Sequence, residues 1–268
     1  MFLFSFFIIS CNDDKKNAAP TSETKEVKKS DEFNYNVEQF ADIRVLRYQI
    51  PGWENLTLKE QKLVYYLAQA GYSGRDITWD QNYRHNLTIR KALENVYTTY
   101  SGDKDAADWK NFEIYLKRLW FANGIHHHYS NAKFVPDFSS DYLKEILAAT
   151  NTMLEGEAFD VIFNDIDTKK VNQAKGVDNV LVSAVNLYGP GVTNADVNSF
   201  YGNMESPDPD KPLSFGLNSQ LVKENGELKE RVYKSGGLYG TAIDEIVKWL
   251  ALAQGVAENE AQGKALGL

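Results

Sequence analysis

Three of the four histidines in this sequence stand side by side, in the segment NGIHHHYSNAKFVPD at residues 123–137. Imidazole is both a common metal ligand and a common acid–base group, so His126, His127 and His128 come first in a search for chemistry. Neighbouring residues of an extended segment point to opposite sides, and three of them cannot easily reach one ion. Two of them with an outside carboxylate could bind a metal, but the sequence indicates no partner. A loop that presents imidazoles and the Tyr129 ring to a cleft remains open, as does an inert hydrogen-bonded loop.

Other catalytic motifs are missing from the sequence. A zinc-hydrolase helix needs His-Glu followed by a second histidine on the same face, and no histidine here precedes a glutamate. The single cysteine, Cys11, lies near the start, which excludes a disulfide framework and leaves no thiol nucleophile in the folded part. The glycine-rich YGPGVT at 188–193 lacks the Lys-Ser/Thr pair of a phosphate loop, so we interpret it as a turn. We therefore expect no catalytic residue and no metal site within this chain.

The overall charge narrows the classes of partner. The chain has 268 residues, a formal net charge of -8 and a sequence pI of about 5.1. A nucleic-acid partner requires a basic face that neutralises phosphates, and no clustered Lys/Arg stripe is present. We expect no nucleic-acid binding. A hydrophobic share of 43% is enough for a sizeable buried core.

The first residues, MFLFSFFIISCNDDKKN, resemble a bacterial lipoprotein signal at 1–11 with Cys11 as the lipidated residue. The apolar run is too short to span a bilayer, and it departs from the signal pattern by lacking a preceding Lys or Arg. Lipid chains on Cys11 would attach the protein to a membrane surface, facing the periplasm or the cell exterior. The other interpretation is an apolar N-terminus that contains a cysteine by chance. Residues 12–36 are polar and charged, and we interpret them as a flexible tether.

The apolar periodicity predicts an α+β fold, mainly helical with a small antiparallel sheet or partial β-barrel. Residues 40–52, FADIRVLRYQIPG, predict one strand. Thr57 with Glu60 predicts a capping box that opens a helix ending near Tyr72, with its apolar side facing inward at Leu63, Tyr66, Leu67 and Ala70. Asn225-Gly226 predicts the turn of a hairpin, and residues 177–193 look extended before their glycines. Further helices are predicted from apolar residues at helical spacing: Ile89, Leu93, Val96, Tyr97 and Tyr100; Trp109, Phe112, Leu116 and Leu119; Leu143, Ile146 and Leu147; Val197, Phe200 and Tyr201; Ile243, Ile246, Val247 and Leu250. The helix that carries Trp109 is predicted to end at Asn123-Gly124.

Five long segments carry a family resemblance. They read FADIRVLRYQIPGWENLTLKEQKLVYYLAQAGYSGRDITWDQNYRHNLTIRKALE, NGIHHHYSNAKFVP, NLYGPGVTNADVNSFY, SFGLNSQLVKENGELKERVYKSGGLYG and AIDEIVKWLALAQGVAENEAQ. In this order they resemble the N-terminal part of bacterial dipeptidyl peptidase III, over roughly residues 37–268. The resemblance implies a two-lobed zinc exopeptidase that removes dipeptides from the N-termini of short oligopeptides. One lobe of such enzymes binds zinc through His-Glu-x-x-Gly-His and a further glutamate, and the other lobe holds a small β-barrel and helices.

The resemblance implies that residues 37–268 are the non-metal lobe, truncated at the C-terminus, because the zinc motif would follow the last residue in the family's order. The full-length protein would then use zinc with ligands outside this chain, and this chain would be inactive alone. Its partners would be an oligopeptide substrate, the C-terminal zinc lobe and, through the lipid anchor, a membrane. The loop ending in KFVP would border the cleft, with His128 and Tyr129 as substrate-binding residues. The alternative is a lipid-anchored peptide-binding or interaction module without catalysis.

Overall fold

The computed structural model describes residues 33–166 and 168–267. The fold class is α+β, mainly helical with small antiparallel sheets, as predicted. The predicted signal at 1–11 with Cys11, and residues 12–32 of the predicted tether, lie outside the described residues. Across the two described ranges, no helix combines the length and the apolar character that crossing a bilayer requires.

The described part of the chain contains ten α-helices, one short 3-10 helix (Trp53–Asn55) and four strands. In chain order the α-helices and strands are β1 (Asn36–Phe40), β2 (Ile43–Leu46), α1 (Leu58–Ser73), α2 (Arg75–Asn82), α3 (Asn86–Thr99), α4 (Ala107–Ala122), α5 (Ser140–Ala149), α6 (Glu157–Phe163), α7 (Asn179–Val182), α8 (Asn194–Tyr201), β3 (Ser219–Glu224), β4 (Glu227–Val232), α9 (Gly240–Gln254) and α10 (Glu260–Leu266). The four strands form two separate antiparallel hairpins, β1–β2 and β3–β4.

The main core lies among α3, α4, α5 and α6. The residues predicted to face inward on the first three of these helices are buried, except Tyr97 and Tyr100, which are partly buried against the same core. The buried residues pack with Ile162 of α6 in one cluster. Helix α4 ends as predicted, because Asn123 adopts a left-handed conformation with φ of 54° and Gly124 follows it. Helices α2 and α6 were not predicted; each has at most eight residues, too few for apolar periodicity to show.

The predicted single strand at 40–52 is wrong. The chain reverses at Ala41 and Asp42, and Phe40 pairs with Ile43 in the β1–β2 hairpin. Ala41 has a φ of 46°, a conformation that glycine or asparagine adopts more readily. Because neither of those residues marks the reversal, the sequence gives no signal for this turn.

Helix α1 begins with the predicted capping box. The Thr57 hydroxyl accepts a hydrogen bond from the Glu60 backbone N–H at 3.3 Å, and the Glu60 carboxylate accepts one from the Thr57 N–H at 2.5 Å. Helix α1 packs on α9, where the Tyr66 ring stacks on Trp249 at 6.0 Å between centroids. The packing covers only part of α1, and Leu67, which we expected to face inward, is 40% exposed.

The second hairpin is confirmed, with left-handed Asn225 and Gly226 at its turn. Residues 177–193, in contrast, do not form the predicted extended segment. They contain α7, whose first turn is capped by Asp178 through a 3.0 Å hydrogen bond from the Leu181 N–H. Aspartate at that position satisfies a backbone donor that would otherwise be unpaired, which favours a helical turn over a strand.

A polar cluster ties the β3–β4 hairpin and α9 to the helical part. The Asp80 carboxylate accepts hydrogen bonds from the Asn186 amide at 3.0 Å and from the Tyr239 hydroxyl at 2.6 Å. The Gln220 amide of β3 in turn donates to the Asn186 side-chain oxygen at 2.8 Å. Four side chains from distant parts of the sequence thus connect α2, the loop between α7 and α8, β3 and the residue before α9.

Candidate functional site

Residues 125–134, which we call the histidine loop, form a narrow reversal of the chain after α4. The Phe134 N–H donates to the Ile125 carbonyl at 2.8 Å, and the His127 N–H donates to the Ala132 carbonyl at 2.7 Å. Near the tip, the Asn131 N–H donates to the His127 carbonyl at 3.0 Å, and Asn131 is left-handed with φ of 60°. These bonds pair the two sides of the loop and hold its tip in one conformation.

Asn86, at the start of α3, fixes the entrance to the histidine loop. Its side chain is buried, accepts a hydrogen bond from the Ile125 N–H at 3.1 Å and donates to the Trp79 carbonyl at 3.0 Å. Gly124 has a φ of +146°, and a Cβ at that position would overlap the Asn86 amide. Asn86 therefore requires glycine at 124, and the loop is anchored to the core by a side chain almost forty residues earlier in the chain.

His126 points into the protein. It is 2% exposed, its ring meets Tyr83 edge to face at 5.4 Å, and neither of its nitrogens has a hydrogen-bond partner. Burial lowers its pKa to about 4, helped by the nearby cations of Lys170 and Lys133. A contact with the Thr168 backbone, outside normal hydrogen-bond geometry, offsets this only in part. His126 is therefore a neutral core residue at pH 7, and it does not reach a ligand at the surface.

His127 supports the tip of the loop. Its Nδ1 accepts hydrogen bonds from the backbone N–H groups of Tyr129 and Ser130, each at 3.1 Å. A ring nitrogen that accepts two such bonds carries no proton and has no lone pair to offer to a metal. His127 therefore holds the turn and positions the next two residues.

His128 and Tyr129 form the outer part of the site. The Tyr129 ring is 83% exposed. The half-buried His128 ring lies between Tyr129 at 4.2 Å and Phe121 at 5.1 Å, and it also stacks on His127 at 4.5 Å. Its pKa is lowered, first by burial and then by the charges of His127 and Lys170. The two rings thus present a solvent-facing aromatic surface and an uncharged imidazole side by side.

Two residues that follow α6, Asn164 and Lys170, support the histidine loop. The Lys170 N–H donates to the Asn131 carbonyl at 2.9 Å, and the Lys133 ammonium donates to both oxygens of Asn164, at 2.5 and 2.6 Å. Sequence reasoning missed these supports and also missed Asn86. No motif or spacing rule links them to the histidines, because only the tertiary fold brings them together.

The resemblance implies zinc bound by ligands outside this chain. In 33–166 and 168–267, no group of three or more His, Cys, Asp or Glu side chains is placed to hold a metal ion. Two of the histidines are already engaged within the protein. His126 is buried against Tyr83, and the Nδ1 of His127 accepts hydrogen bonds from backbone donors. The histidine loop therefore offers no metal centre of its own.

Comparison with known proteins gives a distant likeness to solved structures. No protein-family model matches the sequence, and no curated protein matches it. Eleven chains of solved structures match, among them DPP III from Caldithrix abyssi, with 17% sequence identity and a TM-score of 0.48. That match covers 82% of this chain and 30% of the Caldithrix protein, so this chain spans less than a third of that protein's length.

Proposed function

We propose that this chain is the non-metal lobe of a zinc-dependent dipeptidyl peptidase, and that its histidine loop binds the oligopeptide substrate through Tyr129 and His128. The observation that carries the proposal is the Tyr129 ring, 83% exposed on a loop whose backbone is held by hydrogen bonds on both sides. The sequence segments that resemble dipeptidyl peptidase III support the choice of an oligopeptide as the ligand.

The loop suits a peptide for physical reasons. A loop backbone that is already held in place loses little conformational freedom when a ligand packs on it, so more of the contact energy appears as affinity. Tyrosine offers an apolar face together with a hydroxyl that can donate or accept a hydrogen bond. The neutral His128 imidazole beside it adds a polar contact without attracting a charged group. These features favour a short, flexible chain over a charged small molecule.

The proposal assigns the reaction to a second lobe. Zinc, when bound there, would polarise the scissile carbonyl of the peptide. This chain's part is to hold the peptide. Lipidation at Cys11 would attach the protein to a membrane, facing the periplasm or the cell exterior, and this part of the proposal rests on the first residues of the sequence alone.

A second candidate, an interaction module without catalysis, is favoured by the apolar surface of α1 and α9. Five large apolar side chains on these two helices are each 47% or more exposed: Leu58, Val64, Tyr65, Tyr72 and Val247. Neighbouring exposed apolar residues of this kind are typical of surfaces that pack against another protein or domain. Such a surface fits the contact with a second lobe equally well, so it does not separate the two functions.

Peptide titration separates them. We would titrate an unmodified pentapeptide into the chain by isothermal calorimetry, with Tyr129→Ala as the test variant. Tyr48→Ala is the matched control, because Tyr48 is 74% exposed and lies outside the histidine loop. Truncating an aromatic residue at the centre of a binding site typically weakens binding by about tenfold or more. We expect that loss for Tyr129→Ala and no loss for Tyr48→Ala; equal affinities of the two variants, or no peptide binding, would contradict the proposal.

A further inference from the structure

An apolar pocket lies between the β1–β2 hairpin and the C-terminal part of α4. Its volume is about 310 Å³, at the small end of the range for ligand sites. Four apolar residues and one ion pair line it: Phe40, Val45, Trp120 and Phe121, with Glu38 and Lys117. None of these six residues has a role in the function proposed above.

The Phe121 ring joins this pocket to the histidine loop. Phe121 is 47% exposed and lines the pocket, and its ring lies 5.1 Å from the His128 ring. The His128 ring in turn lies 4.2 Å from the Tyr129 ring. An extended peptide advances about 3.3 Å per residue, so about three residues cover both ring spacings together. A peptide packed on Tyr129 can therefore place another of its side chains in the pocket.

The charged groups at the pocket already have partners. The Lys117 ammonium donates to the Glu38 carboxylate at 2.5 Å and pairs with Glu113 at 3.0 Å. Arg118, the next residue of α4, pairs with Asp42 of the hairpin turn at 3.0 Å. An acidic side chain would meet the two carboxylates around Lys117, and a basic one would gain only the screened attraction of the half-exposed Glu38. Either would lose hydration on entering, which an apolar side chain does not.

The rest of the lining is mostly aromatic. Phe40 and Trp120 are half-buried, and the Trp120 indole N–H already donates to Glu94 at 2.9 Å, so the indole offers the pocket an apolar surface. Aromatic rings pack on other rings with a gain beyond the area they bury. We propose that this pocket receives an aromatic or large aliphatic side chain of the peptide bound at the histidine loop. The inference rests on the function proposed above and adds a residue preference to it.

A positional scan of a pentapeptide tests the preference. In a pentaalanine host, phenylalanine, leucine or glutamate replaces alanine at each position in turn, and affinities are measured by isothermal calorimetry. Burying a large apolar side chain in place of alanine corresponds to about tenfold in affinity or more. We expect a position at which phenylalanine and leucine bind at least tenfold tighter than alanine and glutamate. Glutamate binding as tightly as phenylalanine at every position would overturn the proposal.

Val45→Asp tests the location, because it places a carboxylate in the pocket. Val37→Asp is the matched control: it makes the same change in the same hairpin, at a residue that is 58% exposed and outside the lining. We expect Val45→Asp to abolish the phenylalanine preference and Val37→Asp to keep it. Val45→Ala should lower the preference severalfold, and it decides alone if Val45→Asp does not fold. A preference unchanged in a folded Val45 variant would refute this location.

The outcomes also separate this pocket from the function on which it rests. If the pentapeptides bind and Tyr129→Ala weakens them, while no position prefers phenylalanine to alanine, the pocket proposal is overturned and peptide binding by the histidine loop stands. If no pentapeptide binds the wild-type chain, both proposals are overturned.

Discussion

Protonation of His126 should control stability in mildly acidic solution. The ring is 2% exposed with no hydrogen-bond partner for either nitrogen, and its pKa falls from an ordinary value of 6.5 to about 4 on folding. Between these values the unfolded chain binds a proton that the folded chain excludes. Stability therefore rises with pH across this range: the contribution is fully present above about pH 6.5 and is lost as the pH falls toward 4.

The size of the effect follows from the difference between the two pKa values. One pKa unit corresponds to 1.36 kcal/mol, so the roughly 2.5 units between the unfolded and folded states of His126 correspond to about 3 kcal/mol in total. At pH 5, the difference in His126 protonation should already lower the free energy of unfolding by about 2 kcal/mol. Because domains typically unfold with a free energy of about 5–15 kcal/mol, this loss is a large fraction of the total stability.

Urea unfolding of the wild type and of His126→Phe, measured at pH 7, 6, 5 and 4.5, checks this prediction. Phenylalanine keeps a ring against Tyr83 but cannot take up a proton, and both proteins share all other titrating groups. We expect the wild type to lose about 2 kcal/mol more than His126→Phe between pH 7 and pH 5. Ile125→Val is the control, because it perturbs a buried neighbour without a charge and should lower stability equally at every pH. Parallel pH profiles for the wild type and His126→Phe would refute the reasoning.

Two further predictions concern the anchoring of the fold. Gly124→Ala should destabilise the protein by about 3 kcal/mol, measured by urea unfolding, because its Cβ would overlap the Asn86 amide at a positive φ; a loss below about 1 kcal/mol would mean that Asn86 does not fix the loop. Thr57→Ala should cost about 1 kcal/mol by removing the cap of α1, whereas Thr57→Ser should keep most of that stability. Equal stabilities of the two Thr57 variants would contradict the capping role.

The parts of the fold that the sequence predicts well are those governed by local patterns. The apolar residues of α3 and α4 repeat at helical spacing and are buried together, and the Asn225-Gly226 pair marks its turn correctly. The β1–β2 reversal at Ala41 could not be predicted, because alanine rarely adopts a positive φ and nothing in the neighbouring sequence marks a turn. Short α2 and α6 have too few turns for a periodic signal.

The candidate site, too, could be predicted from the sequence only in part. The sequence pointed to the histidine loop, and the structure distinguishes its members: His126 is buried, His127 supports the turn, and only Tyr129 is widely exposed. The peptide-binding roles of His128 and Tyr129 stay predictions. Asn86 could not be linked to the loop from the sequence, because its contact with Ile125 depends on how α3 packs beside the end of α4.

Photo-crosslinking tests the central claim most directly. A pentapeptide that carries a benzophenone side chain at its second residue would be irradiated with the protein, and the attachment sites would be mapped by mass spectrometry. We predict that crosslinks concentrate in residues 128–130, that unlabelled pentapeptide suppresses them, and that Tyr129→Ala reduces their yield while Tyr48→Ala does not. Crosslinks confined to other parts of the chain, such as the exposed face of α1 and α9, would contradict a peptide-binding histidine loop.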